Sequence, residues 1–300
     1  MGLFGGGYEN AGPGVPKNPE EKTVVARFFE IYFRRFWKLL TMNILYFLFF
    51  IPFFAILSVA ASDSIQSNLK VVCIVALLLV AILTFGPATS GFVKVVRNYS
   101  QERNAFLWSD FSKAFRQNYF QSVIMGAVDI VFTVGFVVAI VCYNEWASES
   151  SIIYIPFVIT LSCMLMFIMM HFFIYLLIVS TNLSLKNILK NSFLLVGVSL
   201  KKCLITLVIT AFIVLLFVFL YPYSFFILPF WPLSFICFLI CFNCFPVIRK
   251  YVIDPYYEKR RETSPEYRLA EQTEKEAVFE DKGGQEAPIK APKNKNKVIK

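Results

Sequence analysis

The chain has 300 residues, of which 57% are apolar and only 16% charged, with a mean hydropathy of +0.63 and a net charge of +9. A soluble domain of this length could not hide so large an apolar share, and the charges collect between long apolar runs and at the termini. These numbers exclude a soluble enzyme, a disulfide-stapled secreted domain and a wholly disordered chain, and they point to an all-α polytopic membrane protein.

In chain order, residues 1–23 are rich in Gly, Pro and Asn and read as a flexible N-terminal arm. They lack the basic head and apolar core of a cleavable signal, and Gly6 stands where a myristoylation pattern wants Ser or Thr. Val24 to Lys38 is basic and amphipathic. Because a bilayer-crossing helix needs about 20 mostly apolar residues, six stretches qualify as spans, at about 39–61, 71–93, 121–142, 152–179, 203–221 and 225–248. They make a membrane domain over residues 24–250 and are too continuously apolar for a transmembrane barrel. Between the second and third spans, Phe111, Phe115 and Tyr119 recur at helical spacing with Lys113 and Arg116 off that face, as in a helix lying among headgroups. Leu183 to Leu200 is similar, so three helical hairpins are each introduced by one basic amphipathic segment.

Pro222, Pro229 and Pro232, set among Tyr221, Tyr223, Phe225, Phe226, Phe230 and Trp231, predict a stiff aromatic hairpin between spans five and six. Residues 251–300 form a charged tail. Ser264 and Pro265 are a helix start, the helix runs over about 265–281, and Gly283 and Gly284 end it before a disordered basic stretch from Lys290 to Lys300. That stretch suits anionic inner-leaflet lipid; no aromatic residues interleave with its bases as nucleic-acid stacking would need.

The bases also orient the chain. Of 29 Lys and Arg, 28 fall before the first span, between spans two and three, between four and five, or after the sixth, and only Lys70 lies on the other side. Basic residues near span ends resist translocation, so both termini of this multi-pass chain are expected in the cytoplasm.

Ionisable groups within spans are costly and therefore candidates for function. Asp129 in the third span and His171 in the fourth lie about 12 and 13 Å from the cytoplasmic end at roughly 1.5 Å per residue, so antiparallel neighbours could bring them together. Asn43 in the first span and Asn243 in the sixth fall at comparable depth, as does a helix break at Gly86 and Pro87 in the second. This intramembrane polar layer reads either as a cavity that binds a polar solute or relays a proton, or as interhelical glue whose members satisfy one another. Cys237, Cys241 and Cys244 share one helical face at a spacing that a soft metal could use. With the other cysteines also in or beside apolar runs, they read as small buried hydrophobes, and neither a metal nor a cofactor is expected. No nucleophile elbow, zinc-protease motif or phosphate-binding Gly loop is present, so an enzyme is not expected.

The order Gly86-Pro87-Ala88-Thr89, Arg97, Trp108-Ser109-Asp110-Phe111 and Phe115-Arg116-Gln117-Asn118 resembles the signature of the YesL-like bacterial membrane proteins, domain of unknown function 624. Gly12-Pro13-Gly14-Val15, Arg27-Phe28-Phe29-Glu30, Arg35-Phe36-Trp37-Lys38-Leu39 and Asn43 are similar to clostridial members, and the likeness continues through Ser184 to Ile188, covering about residues 1–250. Arg116 stands where members more often have Lys. The resemblance implies a Gram-positive plasma-membrane protein of unestablished activity, often encoded beside carbohydrate-uptake systems, and it supplies no catalytic or ligand residues. Its signature points to a cytoplasmic surface with Arg97, Asp110, Arg116 and Asn118 as polar candidates, whose alternative role is helix capping and headgroup contact. The leading expectation is an accessory or scaffold protein that docks a transport system, a transporter subunit or another membrane protein, through that face. The alternative is a carrier of a small polar solute that uses Asp129 and His171.

Overall fold

The computed structural model describes residues 22–60, 62, 66–146 and 151–263, which are helices joined by short turns and extended links. Five helices long and apolar enough to cross a membrane cover Phe36–Val59, Ser67–Ser100, Tyr119–Trp146, Tyr154–Ser180 and Leu200–Phe219, and a sixth opens at Pro232. The chain divides into two compact units, Met1–Tyr251 and Val252–Lys300.

Within the first unit, α1 (Val24–Arg34) begins where the Thr23 hydroxyl accepts the Ala26 amide proton, and it ends at Arg35. The first span is two helices, α2 (Phe36–Leu48) and α3 (Ile51–Ala60), parted by a turn at Phe49 and Phe50. Pro52 accounts for the break: it has no amide proton for the Leu48 carbonyl, and its ring crowds that turn. The second span, α4 (Ser67–Ser100), is 34 residues and about 51 Å long, so it overshoots the hydrocarbon core unless tilted. It touches α1, α2, α3, α5, α6, α7 and α11, and is the hub of the bundle.

α5 (Leu107–Gln117) joins α4 to α6 (Tyr119–Trp146), and after a short 3-10 turn α7 (Tyr154–Ser180) follows. α8 (Leu185–Val198) then leads into α9 (Leu200–Phe219), a five-residue α10 (Tyr223–Ile227) and α11 (Pro232–Ile248). The sixth span therefore starts at Pro232 and not at Phe225. The hairpin residues before it fold as α10 and two turns, because Pro229 and Pro232 each remove an amide that a continuous helix would need. From Phe172 to Val179 every residue of α7 is buried, which places that stretch at the centre of the bundle.

The segments α1, α5 and α8 are helices as their spacing predicts, each with one buried face. On α5 the Phe111 ring lies directly over Gly91 of α4, where an added Cβ would stand 2.9 Å from it. On α8 the buried set is Ile188, Ser192, Leu195 and Val196. α1 packs laterally on α11: Phe28 stacks its edges on Phe235, Phe238 and Phe242 at 5.2–5.8 Å, and Tyr32 meets Phe235 and Phe238 at 5.2 and 5.4 Å. Burial pushes the Tyr32 phenol up to about 12, against a hydrogen bond to Trp231. Arg34 and Arg27 both pair with Glu102, which follows α4 in a left-handed conformation with φ 58°, so α1 is tied to the end of the second span. In the second unit, α12 (Asp254–Thr263) carries its acid in the first turn. The helix expected over 265–281, the N-terminal arm and the basic end of the tail lie outside the described residues.

Candidate functional site

The fold brings Asp129 of α6 and His171 of α7 into direct contact, with His171 Nε2 2.8 Å from Asp129 Oδ1. A third member escaped the sequence reading. Tyr175, one turn after His171, donates its hydroxyl proton to Asp129 Oδ2 at 2.9 Å. The other imidazole nitrogen, Nδ1, lies 3.2 Å from the Phe167 carbonyl, an oxygen that accepts a hydrogen bond from the ring in the tautomer with its proton on Nδ1. The side chains of His171 and Asp129 keep 27% and 23% of their surface, which is the part that faces a chamber.

That chamber has a volume of about 550 Å3 and is a half-open cavity lined by α2, α4, α6, α7 and α11. Asp129, His171 and Tyr175 form one wall. Elsewhere Tyr46 lines it, its hydroxyl 2.7 Å from that of Thr89, and Cys237 and Cys241 contribute thiols 4.0 Å apart from α11. Among the described residues, Asp129 and His171 are the only side chains of Asp, Glu, Lys, Arg or His type in the lining, which is otherwise aromatic, aliphatic, hydroxyl- and thiol-bearing.

The helix break expected at Gly86 and Pro87 is absent: α4 runs on through both, because Pro87 removes only one amide from a long helix packed on all sides, and Gly86 lines the chamber. Gly86 is where α4 and α6 cross at backbone contact: a Cβ on it would stand 1.9 Å from the Ser122 carbonyl oxygen. Gly126 faces Gly86, and Asp129 follows Gly126 by three residues, so the close crossing sets the position of the carboxylate.

The structure does not gather the other two amides into one layer with these groups. Asn43 is fully buried and holds the turn into α11, donating from Nδ2 to the Leu228 carbonyl at 2.9 Å and accepting the Ser234 amide proton at 2.6 Å. Asn243 donates to the Thr206 hydroxyl at 3.0 Å, joining α11 to α9. Depth along a helix fixes one coordinate, and the face on which each amide lies directs it to a different neighbour.

The signature residues separate as well. Arg97 is 7% exposed and so is not part of a surface. Its guanidinium donates to the Val179 carbonyl at 3.2 Å and the Ser180 hydroxyl at 2.6 Å, and lies 5.2 Å from the centre of the Phe245 ring. A cation at the carbonyl end of α7 is held there by the helix dipole and the unpaired last carbonyls. Asp110 accepts the Phe106 amide proton at 3.0 Å at the start of α5, and Asn118 donates to the Ala114 carbonyl at 3.0 Å at its end, so both delimit that helix. Arg116 alone of the four is exposed. Cys203, Cys237, Cys241 and Cys244 are buried, and among the described residues no cluster of three or more His, Cys, Asp or Glu could hold a metal.

Six long apolar helices around an internal acid–imidazole–phenol group define a multi-pass integral membrane protein. Residues 39–142, from α2 to the end of α6, match the family described as Protein of unknown function, DUF624, the YesL-like family whose motifs the sequence resembles. No curated protein and no solved structure matches the chain.

Proposed function

We propose that this protein is a plasma-membrane carrier or receptor that holds a small solute in the chamber, against the wall made by Asp129, His171 and Tyr175. The observation that carries the reading is the partial exposure of Asp129 and His171 beside a half-open cavity of about 550 Å3, with the buried Tyr175 completing its polar wall. Groups that served only to glue helices together would be closed over by their partners, whereas this triad turns part of its surface to an open space. The test is a thermal-shift screen of small polar and amphipathic solutes on the purified protein. Solutes that stabilise the wild type should lose much of their effect in Thr133→Trp, whose indole would crowd the chamber from its edge. Stabilisation that survives this substitution, or a screen without any stabilising solute, would overturn the reading.

In this arrangement both termini are cytoplasmic, and α1, α5 and α8 are the amphipathic connectors of the inner face, with exposed Lys113, Arg116, Lys186 and Lys190 set against anionic lipid headgroups. Labelling of cysteines placed at Arg103 or Lys190 from outside intact cells would refute that topology.

A second reading is favoured by the same connectors. Trp108 on α5 is 63% exposed beside Lys113 and Arg116, a combination suited to docking another membrane protein, and an accessory role in carbohydrate transport fits there. Recovery of a sugar permease with the wild type in mild detergent, but not with a Trp108→Ala, Arg116→Ala variant, would support it; recovery of no membrane partner would count against it.

A further inference from the structure

We propose that the occupant of the chamber is a protonated organic amine, taken up in exchange for the single proton that Asp129 and His171 share. The inference rests on the chamber being a solute site and names the chemistry of the solute.

The proton inventory of the triad leads to it. His171 Nδ1 is committed to the Phe167 carbonyl, so Nε2 is the only nitrogen free to change state. Two lone pairs cannot face one another at 2.8 Å, and therefore one proton lies between Nε2 and Asp129 Oδ1. With that proton the pair is neutral, whichever atom holds it more closely. Tyr175 supplies the carboxylate with a donor on its other oxygen, so the pair is satisfied without water.

Loss of the shared proton leaves a net negative charge in a chamber whose lining has no Lys or Arg to answer it. An uncompensated charge in such surroundings is strongly disfavoured. In the exchange an arriving positive charge takes the place of the departing proton, so the site is never left with an unanswered charge. Its departure leaves two acceptors side by side, Oδ1 and Nε2, and an ammonium group carries the N–H donors to bridge both. An anion would meet no fixed cation in the lining, and a neutral alcohol would bring no charge to replace the proton.

The remainder of the chamber selects the body of the amine. Tyr46, Phe85, Phe92, Phe167 and Phe172 line it, and aromatic faces attract a desolvated cation. The volume falls in the range of about 300–1,000 Å3 usual for small organic ligands, and a bare inorganic ion would leave this apolar wall uncovered. The exchange balances: one ammonium ion enters, one proton goes to bulk water, and the charge of the site is unchanged.

The test uses the full-length protein in nanodiscs of zwitterionic lipid, with empty nanodiscs as the baseline. Calorimetry is run with benzylamine, benzyl alcohol and benzoate at neutral pH, in two buffers of different ionisation enthalpy. Benzylamine should bind at least about tenfold more tightly than the alcohol, a difference of about 1.4 kcal/mol, and benzoate should not bind. The buffer dependence should report one proton released per amine. Asp129→Asn should abolish the preference for the amine, whereas Tyr175→Phe, which keeps both bridging acceptors, should weaken it by less than tenfold. Equal binding of amine and alcohol, or amine binding without proton release, would sink the amine proposal and leave the solute site standing. Binding of no probe, or binding indifferent to Thr133→Trp, would remove both. If Asp129→Asn fails to fold, the comparison of probes and buffers on the wild type decides alone.

Discussion

Replacing Gly86 with Ala adds one methyl group at the point where α4 and α6 touch through their backbones. The new Cβ would begin 1.9 Å from the Ser122 carbonyl oxygen and 2.7 Å from its carbon, so it must retreat to beyond 3.0 Å. The obstacle is backbone, which no rotamer change can move, and the helices have to part by roughly 1 Å along much of their contact. Overpacking of this kind costs about 1–3 kcal/mol, and a backbone obstacle belongs at the upper end. The other glycines grade the effect. Gly91→Ala meets the buried Phe111 ring at 2.9 Å and the Phe111 carbonyl oxygen at 3.0 Å, a milder clash than at Gly86, so about 1–2 kcal/mol is expected; Gly126→Ala meets nothing closer than 3.5 Å and should be near neutral. Gly135 has open space around it, and its replacement should gain up to about 1 kcal/mol from helix propensity. Thermal unfolding in detergent, followed by the loss of monodisperse protein, should rank the four variants in that order, with Gly86→Ala lowest by several degrees. If Gly86→Ala unfolds with Gly126→Ala, then close crossing of the backbones is not what holds α6, and the placement of Asp129 by that crossing fails with it.

Three further outcomes are expected. Arg97→Met should destabilise the protein by about 2–4 kcal/mol, since it removes charge-assisted bonds to the end of α7, and Arg97→Lys should recover part of that; equal unfolding temperatures for Met and Lys would refute the cap. Asn43→Leu leaves the Leu228 carbonyl and the Ser234 amide without their partner, at about 1–3 kcal/mol for each buried group, and proteolysis between Pro222 and Pro232 should accelerate as the turn loosens. Arg34, through its hydrogen bond, and Arg27 hold the Glu102 carboxyl below its ordinary value of 4.5, so its contribution is complete above that pH and is lost as acid takes the pH through the lowered value. Wild type and Glu102→Gln should differ slightly at neutral pH and converge in acid; the difference is small because the carboxyl side chain is 39% exposed. A gap that persists in acid would assign the effect to packing.

The spans were legible because about 30 Å of hydrocarbon demands a run of apolar residues whatever the packing. The meeting of Asp129 and His171 was legible because equal depth on antiparallel neighbours is a one-dimensional count. Direction around each helix axis was not. Asn43 and Asn243 share the depth but face other helices, and Arg97, which reads as a surface base, turns inward because the carbonyl end of α7 waits there. Tyr175 was within reach, since it follows His171 at i+4 on the same face, yet among so many aromatic residues a tyrosine is indistinguishable from packing until its hydroxyl is seen to meet a carboxylate. The break at Pro52 and the short α10 came from prolines lying where a continuous apolar run hides them.

The bond from His171 Nδ1 to the Phe167 carbonyl has a consequence for how the membrane potential acts on the site. A charge moved across the whole bilayer gains or loses about 2.3 kcal/mol per 100 mV. In the exchange proposed above, with Nδ1 engaged, Asp129 and His171 hold one proton between them and present no net charge to the field. Any motion that turns the chamber from one face of the membrane to the other with the proton in place would be indifferent to voltage, and so would the same motion with a monovalent cation in the proton's stead. Concentration and pH gradients, and not electrical potential, would set its direction.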